Sequence, residues 1–129
     1  LERIEIAELF ADWIENTDQH LGNITLQPSP GGKLTLAPLY DMVPMRHAPR
    51  HGEIPPAPAF YPPVSRGKPE HWTRSAEMAM DFWKQAAQNG QISPAFQRLA
   101  SDRARGIEKT LETASPTTQD RPEKGPGWW

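Results

Sequence analysis

Apolar residues recur at helical spacing in three stretches of this chain and alternate in two short ones. In residues 3–15, Ile4, Ala7, Phe10, Ala11 and Ile14 fall at i, i+3, i+4 intervals, with Ile6, Leu9 and Trp13 flanking that stripe. Glu2, Glu5, Glu8, Asp12 and Glu15 then face outward. The pattern predicts an amphipathic helix. It is broken by Asn16-Thr17-Asp18, whose short polar side chains compete for the backbone. Residues 70–89 carry a second stripe, Ala76, Ala79, Met80, Trp83, Ala86 and Ala87, stopped by Asn89-Gly90. Ser93-Pro94 is an N-cap and first-turn pair for a third helix to about Thr113, with Phe96, Leu99, Ala100, Ile107 and Leu111 on its buried side. Trp72, Met78, Met80, Phe82 and Trp83 are expected in the core. Two extended runs, Asn23 to Gln27 and Lys33 to Ala37, place Ile24, Leu26, Leu34 and Leu36 on one face. The cluster Pro28-Ser29-Pro30-Gly31-Gly32 between them predicts a β-hairpin with a loop longer than two residues. The expected fold is mainly α with a small β-hairpin at one edge.

Proline sharpens the picture. Eight of the 15 prolines lie between Pro44 and Pro69, and none precedes Pro28. Each removes a backbone donor, so residues 38–69 are expected to be irregular. A loop of that length is usually functional or mobile. Within 42–74, Arg46, Arg50, Arg66, Lys68 and Arg74 outnumber Glu53 and Glu70. That excess could face phosphate or substrate, but a solvated connection is the preferred expectation. Residues 115–129 are polar and rich in proline and glycine, and read as a flexible tail ending in Trp128-Trp129.

Charge and composition narrow the function. The 14 basic and 16 acidic residues nearly balance, which disfavours a dedicated nucleic-acid or membrane binder. The first 41 residues hold two Lys/Arg against seven Asp/Glu, so the acidity is concentrated there. Hydrophobic residues make up 36% of the chain, and no run approaches the roughly 18 apolar residues of a membrane span. Cysteine is absent, which removes disulfides and thiolate metal sites and fits a reducing compartment. No signal peptide follows Leu1. Because position 1 is not methionine, a fragment or processed product is expected.

The chemistry-bearing stretch is I-E-N-T-D-Q-H-L-G-N-I-T-L, followed after the hairpin by L-T-L-A-P-L-Y-D-M-V-P. It sets Asp18, His20 and Asn23 on a loop after a helix and a second acid, Asp41, beyond the hairpin. Phosphoryl transfer uses such an inventory. One carboxylate orients the attacking hydroxyl and takes its proton, while an amide oxygen and a second carboxylate hold Mg²⁺ against the nucleotide phosphates.

N-x-D-x-H-x-x-N followed by L-A-P-x-Y-D-x-x-P resembles the catalytic region of HipA-like serine/threonine kinases, the toxin components of bacterial toxin–antitoxin pairs. The close motif match covers about a quarter of the chain. The resemblance implies a kinase-like C-lobe over residues 1–114, with 42–69 as a proline-rich loop within it. It implies that Asp18 is the catalytic base, and that Asn23 and Asp41 hold Mg²⁺ and so bind ATP. His20 stands where many protein kinases carry a lysine near the γ-phosphate, and is assigned to phosphate contact or loop support. The same resemblance implies a bacterial cytoplasm, an antitoxin partner and a protein substrate such as an aminoacyl-tRNA synthetase.

Departures matter. Asn16 replaces the histidine of H-R-D, and Met42-Val43 follows Asp41 in place of F-G. No G-x-G-x-x-G and no strand lysine of the V-A-I-K kind occurs. The N-terminal lobe is thus expected to be missing and the fragment inactive alone. Two alternatives remain: an aminoglycoside- or choline-type small-molecule kinase lobe, and a non-catalytic interaction domain. Asp18 and Asn23 standing alone would read as turn residues. Asn16 is expected to cap the helix end or brace the loop, and Tyr40 to be a packed aromatic. His47 and His51, four apart on a proline-rich loop, lack the partners of a zinc site.

Overall fold

The computed structural model describes residues 2–18 and 24–114. In chain order the elements are α1 (Glu2–Trp13), β1 (Leu26–Pro28), β2 (Leu34–Leu36), a 3-10 turn (Met45–His47), α2 (Pro69–Gln88) and α3 (Pro94–Ala114). The architecture is mainly helical with one two-stranded antiparallel hairpin, as the periodicity predicts. Among the described residues no helix is long and apolar enough to cross a membrane.

Helix α2 is the centre of the packing and touches both α1 and α3. Its stripe behaves as read: Ala76, Ala79 and Trp83 are fully buried. On α1 the weighting differs. Leu9 and Trp13, expected as flanks, are fully buried, and Ile4 and Phe10 are only half-buried. The reason is aromatic volume. Trp13 lies 5.0 Å from Trp72, centroid to centroid, and Trp83 Nε1 donates to the Trp13 carbonyl at 3.3 Å. The largest rings take the centre because they remove the most apolar surface from water. Phe82 bridges outward, edge-on to Phe10 and to Trp83. Ser93 caps α3 as expected, its hydroxyl accepting the Phe96 amide at 3.3 Å.

The hairpin is shorter than the alternating runs, with register Leu26↔Leu36, Gln27↔Thr35 and Pro28↔Leu34. Leu26 and Leu34 are exposed. Pro28 lacks the amide that further pairing would use. Its turn closes through Ser29, whose amide and hydroxyl both donate to the Lys33 carbonyl.

The proline-rich stretch departs from the solvated connection expected of it. It is strapped to the helices at several points. Phe60 stacks on Trp13 with ring centroids 6.5 Å apart. Arg66 donates to Asp12 at 2.6 Å, and the Lys68 amide to Glu5 at 2.8 Å. Glu5 thereby occupies the N-terminus of α2, where its charge meets the helix dipole. The backbone bond from Lys68 and the His71 contact hold its carboxyl below the usual range. Gly67, at φ 68°, leads into this contact, and a Cβ there would collide with Glu5.

Gly106, inside α3, is where the strap lies closest. A Cβ at that position would stand 2.5 Å from the Phe60 ring. Glycine to alanine in a helix normally stabilises by about 1 kcal/mol. Here the sign reverses: Gly106→Ala is expected to lower stability by about 1–3 kcal/mol in urea unfolding, as overpacking does. In a Phe60→Ala background the same substitution becomes neutral or stabilising.

Candidate functional site

Helix α1 ends in a Schellman turn. The Asn16 amide donates to the Ala11 carbonyl at 2.9 Å and the Glu15 amide to Asp12 at 3.1 Å. The residue in the left-handed position of such a turn is usually glycine. Here it is Glu15, at φ 60°. The sequence pattern expected Glu15 to face outward, and the structure overturns this: it is 8% exposed. The left-handed turn swings its side chain inward. Oε2 accepts from His47 Nε2 at 2.5 Å and from Arg103 Nε at 2.9 Å. Arg46 lies 3.8 Å from the other oxygen, and its amide donates to the Glu15 carbonyl at 3.1 Å. Burial pushes the Glu15 carboxyl up, but the hydrogen bonds and charges of His47 and Arg103 outweigh it and leave it below its ordinary value.

The loop with the first predicted site residue starts from this anchor. Asn16 braces it, as expected. Its Oδ1 accepts the Asp18 amide at 3.1 Å. Its Nδ2 points to Met42 Sδ at 3.8 Å, across 26 residues. The N-T-D and Y-D-M-V-P blocks therefore meet through the residues flanking their acids. Asp18 is exposed. Asp41 is exposed too, and holds φ 58°, a left-handed backbone that aspartate tolerates better than most residues. Tyr40, expected as a packed aromatic, is instead 47% exposed, and its hydroxyl is 3.4 Å from that of Thr25 at the foot of the hairpin. His20 and Asn23 lie outside the described residues.

Two cavities border these elements. A cleft of about 530 Å³ beside the loop is lined by Asp12, Asn16, Thr17, Arg46, Tyr61 and Arg66, among others. Burial raises the Asp12 carboxyl in this cleft, against the opposing pull of Arg66. The larger groove, about 720 Å³, is apolar, runs between α2, α3 and the proline-rich strap, and includes neither Asp18 nor Asp41. Neither Asp18 nor Asp41 lines the polar cleft itself, but Asn16 and Thr17, which lead to Asp18, do. No group of three or more His, Cys, Asp and Glu able to hold a metal occurs among the described residues. His47, set aside as a zinc ligand, is committed to Glu15.

Sequence reading missed Glu15, His47 and Arg103 as a unit. Arg103 carries a partial signal, because it falls between Ala100 and Ile107 at core spacing on α3. Glu15 carries none, because it lies past the end of α1 in a left-handed turn without glycine.

Removing one partner from a buried pair strands the other charge. Arg103→Met is expected to cost about 3–5 kcal/mol in urea unfolding. Glu15→Gln combined with Arg103→Met is expected to cost less than the sum. Acid sensitivity follows from the sign of the shift. The native Glu15 pKa lies below its unfolded value of about 4.5, so its contribution is complete above that pH and is lost as pH falls through the native value. Glu5 acts in the same sense and Asp12 in the opposite one. Unfolding midpoints measured from about pH 5 down to 3 are expected to fall, and Glu15→Gln to flatten part of that slope.

No family model matches the chain, and no solved structure matches it at a significant level. Over 112 residues, 84% of the chain, it is 30% identical to "Toxin YjjJ" of Escherichia coli (strain K12). The aligned stretch covers 24% of that protein, so the chain spans about a quarter of its relative's length. The chain has a toxin among its distant relatives.

Proposed function

We propose that this chain is the C-terminal catalytic lobe of a HipA-like serine/threonine kinase, acting in the full-length protein as a growth-inhibiting toxin. One observation carries the reading. The Asn16–Met42 contact brings together the two motif blocks, which a phosphoryl-transfer loop uses side by side. The toxin relative supports the toxin part of the reading.

In this reading Asp18 accepts the proton of a protein hydroxyl as that oxygen attacks the γ-phosphorus. The bond from that phosphorus to the β–γ bridging oxygen breaks, and ADP leaves. Asn23 and Asp41 would hold Mg²⁺, and His20 would contact the phosphates. Mg²⁺ is suited to such a place, because it takes one or two carboxylates and leaves its other positions to phosphate and water. An exposed Asp41 is a donor of that kind. When bound, the cation neutralises charge on the transferring group. The strained backbone at Asp41 fits a residue held for function. An antitoxin partner, a protein substrate such as an aminoacyl-tRNA synthetase, and a cytoplasmic site of action complete the proposal.

The test is made on the full-length protein. Asp18→Ala and Asp41→Ala are each expected to abolish growth inhibition on induction and to lower phosphate transfer from labelled ATP by about a hundredfold or more. Phosphorylated protein is expected in mass spectra of induced cells. Unchanged toxicity in both variants, or a phosphorylated metabolite in place of a protein, overturns the assignment.

A further inference from the structure

We infer that the Glu15–Arg103 pair positions the start of the candidate catalytic loop, linking the segment that bears Asp18 to the turn that follows Asp41 and tying both to the proline-rich strap. The inference rests on the kinase reading for what the loop does, but on geometry alone for how the loop is held.

Four observations converge on Glu15. Its left-handed backbone starts the loop one residue before Asn16, which in turn holds the Asp18 amide and reaches Met42. Its carbonyl receives the Arg46 amide, and its carboxylate receives His47, both from the turn that follows Asp41. The same oxygen receives Arg103 from α3. Arg103 continues past it: its Nη2 donates to the Pro58 carbonyl at 2.6 Å, and its guanidinium lies 5.7 Å from the centre of the Phe60 ring. One carboxylate thus joins the segment bearing Asp18, the segment following Asp41, and the strap.

A purely stabilising role does not account for this choice. Apolar residues of similar size hold helices together at least as well as a buried ion pair. Glycine would end α1 without strain. What an ion pair adds is direction. The planar guanidinium offers fixed donors to Glu15 and Pro58 together, which lysine cannot reproduce. A shift of the strap is therefore transmitted to the loop through one rigid side chain. In this arrangement Glu15 and Arg103 are positioning residues, acting through Asp18 and Asp41.

The experiment is amide hydrogen exchange by mass spectrometry on the full-length protein and its Arg103→Met, Arg103→Lys and Glu15→Gln variants, with phosphate transfer measured in parallel. Exchange in peptides covering 14–18 and 42–48 is expected to quicken about tenfold or more in Arg103→Met and Glu15→Gln, while α2 peptides stay protected. Arg103→Lys is expected to fall between, because it keeps the charge and loses the fork. The kcat is expected to drop about tenfold, and Asp18→Ala with Arg103→Met to be no worse than Asp18→Ala alone, since residues acting as a unit are not additive. If Arg103→Met does not fold, Glu15→Gln and Arg103→Lys carry the same readout. Unchanged exchange at 14–18 and 42–48 in a folded variant overturns the inference, as does faster exchange with full kcat. Faster exchange in a protein whose wild type transfers no phosphate leaves the loop coupling standing and removes the kinase reading.

Discussion

A single buried carboxylate organises this molecule. Glu15 sits at the one place where the chain leaves its first helix, in a backbone conformation glutamate adopts at a cost, and its charge is taken up by His47 and Arg103. Left unpaired, a charge at that depth would not stay ionised. Each contact therefore constrains the element that supplies it. The 3-10 turn is drawn against the end of α1, and α3 is fixed in rotation by the need to present Arg103. Aromatic packing around Trp13, Trp72 and Trp83 supplies the bulk of the core, and the ion pair adds contacts whose geometry is directional.

Much of the fold was legible beforehand. Helices α2 and α3 announce themselves by period, by the Asn89-Gly90 stop and by the Ser93-Pro94 start. The hairpin is declared by its turn cluster. These features are local, so local sequence is enough. What was hidden depends on residues 32 and 88 positions from Glu15. An outward glutamate and an inward one look alike until the chain's left-handed turn is known, and the turn lacks the glycine that would have flagged it. The proline-rich segment was misjudged for a related reason. Composition says that it cannot form helix or central strand, but not that Phe60 finds Trp13 and Gly106.

For the candidate site, the sequence supplied residue types and the structure supplied adjacency. The two motif blocks are separated by a hairpin whose Leu26 and Leu34 are exposed and lie outside the core. Their meeting is carried by side chains next to the acids, Asn16 and Met42, and by Thr25 with Tyr40. An identity of 30% over 24% of a toxin's length shows a distant relative without naming this chain's chemistry. The inference to phosphoryl transfer therefore stands on the motif and on the proximity of its two halves.

The strap gives these parts a common mechanical logic. Arg66 and Lys68 fasten its far end to α1 through Asp12 and Glu5, while Phe60 and Pro58 fasten its middle to α3 and Arg103. Proline favours such a role, because a segment with few accessible conformations loses little entropy when it is pinned. Its near end continues from the turn that carries Arg46 and His47, immediately after Asp41. The chain thus leaves the candidate acid, crosses the helical base and returns to α1, with Glu15 at the crossing point. Displacing the strap would expose Trp13 and break the Arg103 bond to Pro58 in one event. Core packing and loop geometry are coupled there by the same few residues, so the strap is part of the site's support.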